Sequence, residues 1–67
     1  MSRGAVTVTV AGEMSVALRC EFDDLEISVG RGVTRIRLPH GDPSMLHGVI
    51  DRVGVLGLEL LDVQREA

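Results

Sequence analysis

Residues 39–63 run PHGDPSMLHGVIDRVGVLGLELLDV. Pro39-His40-Gly41 interrupts the pattern before it. Asp42 is placed to cap a helix, and Pro43 sits where the first helical turn has an N–H to spare. Leu46, Val49, Ile50, Val53 and Leu56 follow at helical spacing, with His47, Asp51 and Arg52 towards the other side. Gly57 is the expected stop, in the left-handed position that ends many helices. Leu58–Val63 is then a strand. It alternates poorly: Leu58 and Leu60 point one way, Leu61 and Val63 the other. Apolar residues on both faces call for cover on both faces, and a symmetry mate is the economical source.

Outward from this unit, the chain reads as strands. Ala5–Ala11 alternates valine with threonine, so Val6, Val8 and Val10 share one face. Gly12-Glu13 is a turn. Met14–Phe22 alternates again, with Met14, Val16, Leu18, Cys20 and Phe22 expected inward. Asp23-Asp24 fits a short reversal before Leu25–Val29, and Gly30-Arg31-Gly32 fits another before Val33–Leu38. Ile36 and Leu38 point in; Arg35 and Arg37 point out. The expected fold is a single α+β domain spanning residues 1–67: a small antiparallel β-meander of four strands, one helix on its aliphatic face, and a final strand, ββββαβ. The crossover through the helix makes the fourth and last strands parallel members of one sheet. The last strand pairs beside the first or the fourth; the pattern leaves both open. The outer face carries mixed charge, so cross-strand Arg–Glu pairs are expected there. Its plain reading is a solvated surface, and its functional reading is a polar binding surface built from Arg19, Arg35 and Arg37.

A 67-residue chain leaves about 40% of its unfolded surface exposed after folding, so its core is marginal. Such domains draw on disulfides, metals or partner subunits. With Cys20 the single cysteine, no disulfide forms within the chain, and a reducing compartment follows. A homo-oligomer, most simply a dimer, is therefore expected, with a protein partner as a further role. The formal charge of −3 and the lack of Tyr and Trp argue against a nucleic-acid partner. Neither a signal-type apolar run nor a membrane-length one is visible, so the expectation is a cytoplasmic chain with no membrane partner. All seven cationic residues are Arg, and Asn is absent, a bias that high-GC bacterial genomes impose.

Chemistry-bearing residues gather at the helix entrance. His40, Asp42, His47 and Asp51 are metal-ligating types, but two histidines seven apart across a Pro-Gly turn match no compact motif. The simpler reading gives Asp42 a capping role, leaves His40 in an exposed turn and pairs His47 with Asp51 one helical turn on. Cys20, on an aliphatic face, reads as a buried inert thiol. No catalytic set lines up, and neither cofactor nor metal is expected. Gly48 and Gly54 are costly inside a helix, by about 1 kcal/mol each against Ala. With Val55 off the apolar stripe, and with Leu61 and Val63, they are the candidate subunit contacts.

Asp42-Pro-Ser-Met-Leu-His-Gly-Val-Ile50, followed by Leu56-Gly-Leu-Glu-Leu-Leu-Asp-Val63, resembles the first helix and following strand of ACT-type regulatory domains. Their pattern is Asp-x-Pro-Gly, an apolar helix, then Gly-Ile-x-Ile. In that family the unit begins a βαββαβ fold, whereas here it comes last and Ser44 stands at the loop glycine. The resemblance implies binding of an amino acid or metabolite at the helix-start loop between paired domains. It makes His40, Gly41, Asp42, Ser44 and His47 the candidate ligand residues.

Overall fold

A computed structural model describes residues 4–22 and 24–66 of the chain. In order, these form β1 (Val6–Ala11), α1 (Val16–Arg19), a 3-10 turn (Cys20–Phe22), β2 (Glu26–Gly30), β3 (Val33–Leu38), α2 (Pro43–Val55) and β4 (Leu60–Arg65). The described strands form one sheet in the order β2-β3-β1-β4, antiparallel at each pairing. The domain is α+β, as expected, but the order is βαββαβ rather than ββββαβ. That order, with this sheet, is the split βαβ arrangement of ferredoxin-like folds. The last strand lies beside the first. Both β3 and β4 run antiparallel to β1, so they are parallel to each other, as the crossover requires.

The correction concerns residues 14–22. Met14, Leu18 and Phe22 are spaced by four, which satisfies a strand's period of two and a helix's period of 3.6 alike. Val16 and Cys20 fit the strand alone, and both are exposed, Val16 at 72%. Ser15 decides locally: its side chain accepts the Leu18 N–H at 3.2 Å, an N-cap that a strand would not use. Ala17, Leu18 and Arg19 are good helix formers. Cys20 is therefore an exposed thiol, not a buried one, and Arg19 lies on α1, away from the sheet face where a binding surface was expected. Without a strand before it, the segment around Asp24 is no hairpin; Leu25 N–H donates to the Phe22 carbonyl at 3.0 Å. Asp23, residues 1–3 and Ala67 lie outside the described residues, so the expected Asp23-Asp24 reversal is only partly covered.

The remaining elements follow their local chemistry. Arg31 and Gly32, both at positive φ (57° and 78°), make the two-residue β2–β3 turn, the geometry that matches strand twist. Asp42 caps α2 by accepting from the Ser44 N–H at 3.2 Å, and Pro43 follows at the first helical position. Gly57 (φ 73°) ends the helix. Its N–H donates to Gly54, and that of Leu58 to Val53, the paired bonds of a Schellman motif. Leu58 packs against the core cluster to which Val53 belongs.

One sheet face is covered. Val6, Val8 and Val10 of β1, Ile36 and Leu38 of β3, and Val49 and Val53 of α2 pack with Met14 and Phe22. Thr34 is the buried polar member. Its hydroxyl donates to the Gly12 carbonyl at 2.8 Å and accepts the Met14 N–H at 2.9 Å, so it satisfies the backbone of the β1–α1 loop. Arg52 ties α2 to the 3-10 turn: one guanidinium nitrogen donates to the Glu21 carbonyl, and the cation lies 5.9 Å from the Phe22 ring centre. β4 is different. All six of its residues are exposed, although Leu60 and Val63 stand opposite Val10 and Val8 on the covered face.

The two readings of residues 14–22 separate by mutation. Phe22→Ala should cost about 3–5 kcal/mol, while Val16→Ala should stay within about 0.5 kcal/mol. Urea unfolding followed by circular dichroism measures both; comparable losses would restore the strand.

Candidate functional site

The helix-start loop holds the residues with the most chemistry, and the structure divides them. His40 and His47 are exposed, as are Asp42 and Ser44. Asp42 accepts from both the N–H and the hydroxyl of Ser44, at 3.2 and 3.3 Å, so these two are joined in capping. Among the described residues, no three His, Cys, Asp or Glu side chains converge to hold a metal.

Gly41 is the buried member of the loop. A Cβ built there would meet the Gly4 carbonyl oxygen at 2.6 Å and a Val6 methyl at 2.8 Å, and would strike the Arg65 guanidinium. Its N–H donates to the Gly4 carbonyl at 3.1 Å. Its carbonyl accepts from both terminal nitrogens of Arg65 at 3.3 and 3.4 Å, long and hence weak bonds. Gly41 is a packing glycine, required where loop, β1 and β4 crowd together. Arg65 lies beyond the expected Leu58–Val63 strand; it closes β4 and links that strand to the loop.

The expected interface residues are spread over two elements. On α2, Gly48 and Gly54 face open space: a Cβ at either meets nothing within 4 Å. Neither is explained by close packing inside the chain. Val55 is 86% exposed. Gly48 borders a shallow groove with Leu25, Met45 and Val49, rimmed by Asp24 and Arg52. On β4, Leu61 and Val63 are 48% and 40% exposed. Leu60, on the other face of the strand by alternation, is 41% exposed and joins them. The signal that identifies it is position: β4 lies at the sheet edge, beyond the cover of α2.

The uncovered sheet face is polar. Glu26, Arg37, Thr7 and Gln64 form one row across the strands; Ser28, Arg35, Thr9 and Asp62 form the next. The expected cross-strand pair is present, Arg37 to Glu26 at 3.0 Å, with a second to Glu66 at 3.1 Å. Hydrogen bonding and charge from Glu66, then the bond to Glu26, raise the Arg37 pKa above its ordinary value. The guanidinium therefore keeps its charge throughout the physiological range. Exposed pairs of this kind contribute little to stability. A shallow depression lies between Arg35, Thr7, Thr9 and Asp62.

A family model described as a domain of unknown function, DUF8691, matches residues 5–64, which run from the start of β1 almost to the end of β4. The chain belongs to the DUF8691 family. No curated protein and no solved structure matches this DUF8691 chain. No helix among its described residues is long and apolar enough to cross a membrane.

Gly41→Ala should destabilise the DUF8691 domain by about 1–3 kcal/mol through overpacking, whereas Gly48→Ala, with open space and a helical backbone, should stabilise it by roughly 0.5–1 kcal/mol. Thermal unfolding of the two variants checks the pair; a Gly41→Ala chain as stable as the parent would refute the packing role.

Proposed function

We propose that this DUF8691 chain is a small non-enzymatic interaction module that acts as a homo-oligomer, most simply a dimer. The observation that carries the reading is β4. It is an edge strand whose six residues are all exposed, three of them large and apolar. An edge strand offers unpaired N–H and C=O groups to another chain, and natural sheets blunt such edges with Lys, Pro, charge or cover. β4 has neither Lys nor Pro, and its charges are Asp62 and Arg65 alone, which leave Leu60, Leu61 and Val63 exposed beside them. A small core adds a thermodynamic reason: burying Leu60, Leu61 and Val63 in a partner supplies apolar burial that a single copy lacks. Size-exclusion chromatography with light scattering should give at least twice the chain mass of 7.2 kDa at micromolar concentration. A clean monomer refutes the proposal.

A second reading is favoured by one contact. The Arg65–Gly41 bonds place the helix-start loop beside the last residue of β4. A β4 interface therefore brings residues 40–44 close to a subunit boundary, where a ligand such as an amino acid or metabolite would be sensed. His40, Asp42, Ser44 and His47 are its candidate contacts. Here the βαββαβ order agrees with the ACT-type resemblance: the quoted helix–strand unit is the second of the two halves. Fold alone does not assign a ligand. In a thermal-shift screen of amino acids and common metabolites, the correct ligand at a hundred times its dissociation constant should add about 2.7 kcal/mol. A screen without any shift removes this second reading.

A further inference from the structure

We propose that two copies join β4 to β4 in antiparallel register about a two-fold axis through Val63, merging two sheets into one continuous sheet. The inference rests on the homo-oligomeric reading above and specifies its geometry.

The backbone decides which groups face outward. In an antiparallel pair, opposed residues alternate between those that exchange both hydrogen bonds and those that exchange none. Glu66 N–H donates to the Ala5 carbonyl at 2.7 Å, flanking the Val6–Arg65 pair. That pair is therefore of the non-bonded kind. Thr7–Gln64 exchanges bonds, Val8–Val63 does not, and Thr9–Asp62 does. It follows that Val63 and Arg65 direct their N–H and C=O groups away from β1, to the open edge. Gln64 and Asp62 direct theirs inward.

Register follows from face and charge. Directly opposed residues share a sheet face, so the paired numbers must sum to an even value. Within Leu60–Arg65 two such registers engage five residues of each strand. One sets Asp62 against Asp62 of the other copy, a like-charge contact that destabilises a sheet. The other sets Val63 against Val63, Asp62 against Gln64, and Leu61 against Arg65. It has no like-charge pair, and Gln64 supplies an amide donor to the carboxylate. The irregularity in β4 falls between its pairings with Thr9 and Val10, which leaves Asp62–Arg65 regular. In this register the two Val63 residues exchange both backbone bonds, while their side chains meet on the covered face of the sheet. The other edge, β2, is the poorer candidate: its Ile27 and Val29 are half-buried and it exposes no large apolar residue.

Two variants test this. Val63→Pro deletes an N–H that only the partner uses, so the chain should keep its circular dichroism and run as a monomer; a folded variant that still dimerises overturns the proposal. Val63→Cys in a Cys20→Ser background places single thiols on facing strands, at a Cα separation near 5.5 Å for a bonded pair. A short bifunctional thiol reagent should link it almost completely into a covalent dimer. If the unsubstituted chain is dimeric yet this variant fails to cross-link, the register falls and the oligomeric reading stands. If the unsubstituted chain is monomeric, both fall.

Discussion

The burial of one row of valines, Val6, Val8 and Val10, is the constraint on which the structure depends. β1 is an inner strand, flanked by β3 and β4, and those three side chains are at most 1% exposed. Each buried valine contributes about 1.5–3 kcal/mol, a large part of the 5–15 kcal/mol typical of a whole domain. Covering the row requires α2, and α2 in turn requires the Asp42 cap and the Gly57 exit. Phe22 and Met14 complete the cover from the 3-10 turn and the β1–α1 loop. Because α1 and the 3-10 turn take the β2 side and α2 takes the centre, β4 is the part of the sheet left without a helix.

The parts legible in the sequence are those where one period has no rival. Valine and threonine in strict alternation can only be a half-buried strand, and the α2 stripe between its cap and Gly57 can only be an amphipathic helix. Residues 14–22 were ambiguous because Met14, Leu18 and Phe22 satisfy both periods. The exposure of Val16 and Cys20, which sequence does not reveal, separates them together with the Ser15 cap. The exposure of Leu60 was hidden for a related reason. Alternation tells which face a residue takes, but not whether anything covers that face. The packing duty of Gly41 was not legible, since crowding against Gly4, Val6 and Arg65 joins segments far apart in the chain. Arg65 could not be placed from pattern at all, because no apolar periodicity extends to it.

The candidate site is correspondingly simple. The described side chains at the helix entrance cap, pack or face solvent. The polar sheet face pairs Arg37 with two glutamates and leaves Arg35 exposed among Thr7, Thr9 and Asp62. The feature that stands out instead is an edge strand with three large apolar residues exposed. In physical terms the unfinished part of the core and the proposed recognition surface are one feature. In the proposed pairing, specificity rests on backbone parity and the placement of a few charges along β4.

The pairing of β1 with β4 also sets the order of events during synthesis. β1 emerges first, yet one of its two neighbours is encoded by residues 60–65. The β2–β3 hairpin is local and closes through a two-residue turn. β1 joins it across a modest loop, but the row of valines remains bare until α2 is made. The last edge closes only after residue 65 leaves the ribosome. Contacts of such long separation slow folding, and a nascent chain with an unpaired valine strand is prone to aggregation. Thr7 and Thr9, two of the six residues of β1, lower its apolar content by a third during that wait, so the outer face of the strand serves the chain before the sheet exists.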